Sequence, residues 1–431
     1  MSRVCVIGAG PSGITAAKNV LDAGFTDLVI YDRGREVGGN WVFDADSGHS
    51  SVFETTHIIS SRAFSQYDDY PMPDDYPDYP SHRQLAAYFQ NYARHFNLYP
   101  HLRFHTMVER CEKLPSGKWA VTTRSGDKEE RGEFDWLFVC NGHHWKPRWP
   151  EYPGTFTGEW IHSHDFKRAA PFAGKRVLVI GGGNSACDAA VETARVAAHT
   201  DISWRRGYWI VPKFIFGVPA DKLHNDLSKR MAHVPERFKV WMVEKLLKLL
   251  NGPNSRYGLP EPDHHFGGTH PTVNSELLYF IRHGELGGRP DIARLDGKTV
   301  HFTDGCSAEY DAIIACTGYE ISHPFFDSRL IDYSHGPVPL YLRMIHPRHD
   351  NLFFIGLFQP FGCIWPAAEL QSKIAARRMT GAWQPPRDLD RAIARELEHP
   401  DVEQLATPRH TITVDYPRFR KRLLAELGVR E

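Results

Sequence analysis

Two stretches of this 431-residue chain repeat one pattern. Val4-Cys5-Val6-Ile7 runs into Gly8-Ala9-Gly10-Pro11-Ser12-Gly13, and Val177-Leu178-Val179-Ile180 runs into Gly181-Gly182-Gly183-Asn184-Ser185-Ala186. Each reads as a buried strand, a tight glycine turn and the start of a helix. That order places a dinucleotide pyrophosphate on a helix N-terminus, where backbone N–H groups and the helix dipole favour negative charge. One such loop constrains little. Two predict an α/β fold with two Rossmann-like units, and two dinucleotides brought together so that a hydride passes between them.

In the first loop Gly8 allows the turn, Gly10 lets a pyrophosphate approach the backbone, and Gly13 allows close strand–helix packing. Pro11 and Ser12 complete the loop. Asp32, followed by Arg33, ends the next apolar run, where a carboxylate accepts hydrogen bonds from both ribose hydroxyls. A loop this near the N-terminus is where flavoproteins place FAD. The second loop offers Gly181, Gly183, Asn184, Ser185 and Ala186, with Asp188 just beyond. Its second strand ends differently: Ile202-Ser203-Trp204 leads into Arg205-Arg206, with no acid at the ribose position. A carboxylate there would repel a 2′-phosphate, whereas guanidinium groups bind it bidentately. NADPH is therefore expected in preference to NADH.

The formal net charge of −1 gives no electrostatic case for nucleic acid or an anionic membrane as partner. The seven cysteines are odd in number, scattered and without a CxxC pair, which excludes a disulfide framework and a dithiol beside a flavin. No apolar stretch approaches the ~18 residues that span a bilayer, and Met1 lies too close to the first strand for a leader. A cytoplasmic protein is expected. The adjacent pairs His143-His144 and His264-His265 lack the spacing of a metal site, so no metal is expected.

Residues 44–80, rich in Asp, Tyr, Ser and Pro, are expected to be irregular. A helix is expected over 84–96, hairpin strands over 117–141, and a domain boundary at Pro147, Pro150 and Pro153. Residues 237–250 carry an apolar stripe (Phe238, Trp241, Met242, Leu246, Leu249) with Lys239, Lys245 and Lys248 opposite. This reads as a surface helix on the second domain, the alternative being a helix that leans on a membrane or lines substrate access. A strand is expected over 311–315, another over 352–357, and a final helix over 366–378.

Between the loops lies Phe156-Thr157-Gly158-Glu159-Trp160-Ile161-His162-Ser163-His164-Asp165-Phe166, which fits FxGxxxHxxx(F/Y). With it the chain resembles the class B flavin-containing monooxygenases. Baeyer–Villiger relatives end a similar motif in Trp followed by Pro or Asp, whereas Phe166-Lys167 stands here. Further segments match in order: Gly38-Gly39-Asn40-Trp41 resembles a GGxW segment that contacts the flavin, and Tyr79-Pro80-Ser81-His82 a helix start. Pro271-Thr272-Val273-Asn274 resembles a segment of the nucleotide domain, and Ala315-Cys316-Thr317-Gly318-Tyr319 an ATGY motif. Residues 352–371, with Gly356, Gln359, Gly362, Glu369 and Gln371, resemble a flavin-binding return.

The resemblance implies two domains of the glutathione-reductase type, with the NADPH domain inserted in the FAD domain. Residues 1–166 would form the first part of the FAD domain, 167–318 the NADPH domain with an insertion at 212–270, and 319–431 the FAD-domain return with C-terminal helices. It implies oxygenation by O2 of a soft nitrogen or sulfur in a small molecule, through a C4a-(hydro)peroxyflavin. Baeyer–Villiger ketone oxygenation, an uncoupled NADPH oxidase, and a non-catalytic redox sensor stand as alternatives. The chain departs from the family at Ile59, which stands where many members carry an Asn near the reactive edge of the flavin. Ser60 and Ser61 are the hydrogen-bonding groups beside it. A homodimer is the prior expectation for an enzyme of this size.

Overall fold

The computed structural model of the protein describes residues 2–44, 50–231, 233–333, 338–398 and 411–429. Its helices are α1 (Pro11–Asp22), α2 (His82–His95), α3 (Asn184–Ala194), α4 (Ala220–Arg230), α5 (Glu236–Asn251), α6 (Leu277–His283), α7 (Trp365–Met379), α8 (Leu389–Glu398) and α9 (Tyr416–Glu426).

Val4–Ile7 is the central strand of a five-stranded parallel sheet ordered Leu352–Phe354, Trp136–Val139, Val4–Ile7, Leu28–Tyr31, Leu102–Arg103. Arg176–Ile180 holds the same place in a second parallel sheet ordered Glu159–His162, Ala312–Ala315, Arg176–Ile180, His199–Ser203, Leu286–Arg289. All four residues of the first central strand are buried, because both faces of a parallel sheet are covered; this is why it reads as an unbroken apolar run. On one face Val4 and Val6 meet side chains of α1, α2, α7 and α9. On the other, Cys5 and Ile7 meet the antiparallel meander Met107–Lys113, Trp119–Ser125, Lys128–Phe134.

Several elements differ in extent from the sequence reading. Helix α2 starts at His82 because Ser81 caps it: Ser81 N donates to Gln84 Oε1 at 2.9 Å, and Ser81 Oγ accepts from Gln84 N at 3.4 Å. Helix α7 is not the last, since α8 and α9 follow. The expected division at 166/167 would leave Glu159–His162 in the first domain. Instead this strand pairs along Ala312–Ala315 as the edge of the second sheet, so the chain changes sheets before Glu159. The return is visible in Leu352–Phe354, which comes back to pair with Leu137–Val139.

The insertion is closed at its base by a two-residue parallel pairing of Ile210–Val211 with Thr272–Val273. It contains the hairpin Phe214–Ile215/Val218–Pro219, α4 and α5. The apolar stripe of α5 does not pack on the second domain. Phe238, Trp241, Met242 and Leu249 face solvent, and Leu247 is the buried residue of the helix. The opposite side of α5 is the one held to the body, where Glu244 Oε1 accepts the backbone N–H of Phe266 at 2.9 Å.

Candidate active site

The first loop is built by backbone contacts that leave no room for side chains. Gly8 N donates to Tyr31 O at 2.8 Å, and Cys140 N donates to Ile7 O at 2.9 Å. Gly8 has φ +103°, and a Cβ there would lie 2.6 Å from Cys140 O. A Cβ on Gly13 would lie 1.8 Å from Gly8 O, so strand and helix touch only because that residue is glycine. Gly10 caps α1 without a side-chain bond, and Pro11 stands at its first turn, leaving the N-terminal N–H groups directed outward. Asp32 is the acid at the strand end; its carboxylate accepts from Ala9 N and from Gly34 N, each at 2.6 Å.

Two distant segments close on this loop. A Cβ on Gly39 would lie 2.9 Å from Gly10 Cα, so Gly38-Gly39-Asn40-Trp41 lies against the phosphate turn. Asn40 Oδ1 accepts from Ser51 N at 2.7 Å, and Trp41 meets Trp365 of α7 edge-on at 5.8 Å. Gly356, at φ +82°, approaches Ser12 so closely that a Cβ would lie 2.2 Å from Ser12 Oγ. Its N–H donates to Gln371 Oε1 at 2.9 Å. These contacts account for Gly356 and Gln371 of the return.

The second loop repeats the plan. Gly181 N donates to Ser203 O at 3.0 Å, and Cys316 N to Ile180 O at 2.8 Å. A Cβ on Gly181 would lie 2.5 Å from Cys316 O. Gly183 caps α3, and the position matching Gly13 is the fully buried Ala186. The Pro271–Asn274 segment clasps this loop from above. Thr272 Oγ1 donates to Gly182 O at 2.6 Å, Val273 N to Asn184 Oδ1 at 2.7 Å, and Asn274 Nδ2 to Asp188 Oδ1 at 2.7 Å. Burial pushes the Asp188 carboxyl up to about 6, with the Lys213 ammonium and the Asn274 amide pulling the other way. Trp204 fills the place of an acid, buried and edge-on to Tyr208 at 5.3 Å. Arg205 is exposed, and Arg206 lies 3.7 Å from Asp263.

A single cleft of about 750 Å³ joins the two loops. It brings together Gly8, Gly10, Pro11, Ser12, Asp32, Arg33, Gly39, Asn40 and Trp41 from the first unit with Gly183, Asn184, Ser185, Ala186 and Asp188 from the second, and Gln359 from the return. Gly13 and Gly181 act from behind, as strand–helix contacts, and Arg205 and Arg206 stand outside the cleft wall. Thr317 is also off the wall. Its Oγ1 donates to Arg148 O at 2.5 Å and its carbonyl accepts from Arg148 Nη2 at 2.7 Å, fastening one inter-sheet linker to the other.

Of the two serines, Ser60 lines the cleft beside Ile59, its hydroxyl 2.8 Å from Ser65 Oγ. Ser61 does not line it. Ser61 N donates to Asp221 Oδ2 at 2.6 Å, from the first turn of α4, and Ser61 Oγ is buried without a hydrogen-bond partner.

Sequence reasoning missed the junction where the linkers cross. Tyr319 is ringed by His162 at 5.3 Å, His144 at 5.6 Å and His164 at 6.0 Å. His143, which lines the cleft, shares its Nε2 with Gln359 Oε1 at 3.2 Å. Burial lowers the His162 imidazole to about 4 and also lowers His143, so both are neutral at physiological pH. The one available signal was position: His143 lies in the loop that leaves the strand Trp136–Val139, at the carboxyl edge where ligands of such sheets bind. Phe166, the last residue of the fingerprint, is buried against Phe53 at 5.3 Å and Phe172 at 5.9 Å, tying the flavin-side loop to the second unit.

Comparisons with known proteins agree with this geometry. The family model described as flavin-binding monooxygenase-like matches residues 1–431. Dimethylaniline monooxygenase (N-oxide-forming) 2 of Cavia porcellus is 35% identical over 396 residues, covering 88% of this chain and 73% of that protein. Flavin-containing monooxygenase 5 of Homo sapiens is 33% identical over 453 residues, covering 99% of this chain and 83% of its own. Among solved structures, S-allyl-L-cysteine S-oxygenase from Allium sativum superposes with a TM-score of 0.74 at 23% identity, covering 100% of this chain and 89% of that one. An open form of cyclohexanone monooxygenase superposes with a TM-score of 0.75 at 18% identity, covering 100% and 98%. At these identities the two structures speak for the fold alone.

Proposed function

Because this chain belongs to the flavin-binding monooxygenase-like family, a flavoenzyme family that uses FAD and NADPH, we propose that it oxygenates a soft nucleophilic nitrogen or sulfur of a small molecule. The observation that carries this reading is the single cleft spanning both phosphate loops. Two dinucleotides seated on those loops meet in one cavity. Held on the first loop, an FAD reduced by NADPH from the second would supply the activation of O2 there.

The residues present suit that pair. Gly8, Gly39 and Gly356 leave backbone bare around the first loop, where a Cβ would intrude, and Asp32 lines the cleft where a ribose would lie. The second loop has no acid at its strand end and two arginines beyond it, which suits a 2′-phosphate. The cleft wall between them is apolar and aromatic, with Trp41, Phe53, Ile58, Ile59, Trp145 and Trp365 excluding water. Ser60 is the hydroxyl placed to hydrogen-bond a bound ring or amide in that wall. The chain's residues position and shield; burial holds the His143 and His162 imidazoles toward the neutral form, while the linkers themselves are joined by the Lys146–Glu320 ion pair at 2.8 Å. Phe166-Lys167 at the end of the fingerprint supports heteroatom over ketone oxygenation. Residues 1–158 and the return from 319 onward would hold FAD, and the second sheet with its insertion NADPH. A homodimer remains part of this reading.

Stopped-flow absorbance tests it: the purified holoenzyme is reduced by NADPH and mixed with oxygen. A long-lived species absorbing between the reduced and oxidised flavin bands, discharged faster by an amine or sulfide, is the expected result. Direct return to oxidised flavin with stoichiometric hydrogen peroxide, with and without such substrates, would show an oxidase instead.

A further inference from the structure

The insertion concentrates exposed apolar surface to an unusual degree. Of the thirteen exposed large hydrophobic side chains among the described residues, eight fall between 214 and 250, less than a tenth of the chain. On α5 they form one stripe: Phe238, Trp241, Met242 and Leu249 recur at helical spacing, with Trp241 50% and Leu249 82% exposed. Phe238 and Trp241 stack on each other at 5.4 Å rather than on the protein body. Contiguous apolar surface of this kind on a folded protein marks an interaction face.

A second element points the same way. The hairpin Phe214–Ile215/Val218–Pro219 turns through Phe216-Gly217. Phe216 holds φ +51°, a left-handed conformation that two-residue turns normally assign to Asn, Asp or Gly. The strained residue is also 80% exposed. An aromatic ring is thus held out in water on a backbone that disfavours it, and such strain persists where the side chain has a use.

Charge decides the partner. The whole chain carries a formal net charge of −1, yet residues 213–251 hold eight lysines and arginines against four aspartates and glutamates. Lys245, expected opposite the apolar stripe, instead shares its face by helical spacing, with its ammonium 5.9 Å from the Trp241 ring. An isologous contact between two copies would set these cationic patches against each other. A surface that takes Trp, Phe, Met and Leu together with surplus lysine is the headgroup region of an anionic bilayer. We infer that the insertion is a peripheral membrane-docking element, with the Phe238–Leu249 face of α5 and the Phe216 tip lying in the interface of anionic phospholipid. Docking of this kind needs no spanning segment, in keeping with the absence of any helix, among the described residues, long and apolar enough to cross a membrane.

Vesicle flotation of the full-length holoenzyme tests this without reference to its activity. With phosphatidylcholine vesicles containing phosphatidylglycerol, about tenfold more protein should float than with phosphatidylcholine alone, and high salt should release it. Trp241→Glu and Leu249→Glu should each abolish flotation while leaving NADPH oxidation in lipid-free buffer unchanged. Equal recovery with both vesicle types, or none with either, would overturn the proposal. So would a Trp241→Glu change that splits a dimer in light scattering without altering flotation, which would make the face a contact between copies. Should either variant fail to fold, the lipid-composition and salt dependence of the unaltered protein still decides.

Discussion

The two phosphate loops share strand, turn and helix but part company one residue past the second strand. In the first unit that residue is Asp32, whose carboxylate binds Ala9 N in the loop and Gly34 N beyond it. In the second it is Trp204, and the space above the loop is taken by Tyr208, so close that a Cβ on Gly182 would lie 2.2 Å from its ring. The acid that braces one loop is replaced by an aromatic pair in the other. The backbone geometry, common to both, makes a pyrophosphate seat. On the reading proposed above, the strand-end residue would then set the ligand: a carboxylate for ribose hydroxyls, or its absence, with arginines nearby, for a 2′-phosphate.

The comparison can be broken first at the strand–helix contact. Gly13→Ala puts a methyl 1.8 Å from Gly8 O and should cost about 3 kcal/mol or more, giving colourless protein in a flavin-content assay. Ala186→Gly, the reciprocal change, should cost about 1 kcal/mol and keep the flavin. Equal losses would mean that the two units are not built alike.

Next in size, Asp32→Ala leaves two backbone N–H groups without their acceptor, at about 1–3 kcal/mol each. Flavin retention on gel filtration should fall about tenfold to a hundredfold, while NADPH affinity, read by fluorescence titration, stays unchanged. Arg205→Ala and Arg206→Ala should act on the other unit, raising KM for NADPH about tenfold or more and leaving NADH alone. Equal effects on the two coenzymes would remove the 2′-phosphate assignment. Arg206 gives the smaller effect, since Asp263 already engages it.

The smallest effect is a pH dependence confined to the second unit. Asp188 occupies the place of Thr15 in the first, and its folded carboxyl lies at about 6, above the ordinary value of 3.8. A carboxyl raised on folding binds its proton more tightly in the folded state, so stability is greatest below the unfolded value and declines as pH rises through about 4 to about 6. Asp188→Asn should remove that decline. The difference in Tm between variant and wild type should therefore widen across this interval and stay level above it. A difference independent of pH would place the Asp188 effect in packing alone.

Local chemistry made much of the site readable from sequence. Glycines at Gly8, Gly10 and Gly13, an apolar run before them and Asp32 after them are short-range signals, each with a steric or electrostatic reason confined to a few neighbouring residues. The missing acid at Trp204 was legible in the same way. The division near residue 166 was placed too late because Glu159–His162 joins its sheet through a strand, Ala312–Ala315, that lies far along the chain. Ser60 and Ser61 could not be told apart, because the contacts that distinguish them, Ser60 with Ser65 and the Ser61 backbone with Asp221 on the insertion, form only in the folded chain.

The sequence by itself determined two dinucleotide units and their order, because a phosphate turn is specified by residues in contact along the chain. Tertiary structure alone decided how these units share one cleft, how Pro271–Asn274 clasps the second loop, and that the apolar stripe of α5 faces outward. Amphipathic spacing fixes which residues share a helix face but not the rotation of that helix. In α5 the rotation follows from Glu244 and Leu247 meeting the body of the insertion, contacts that exist only once the chain has folded.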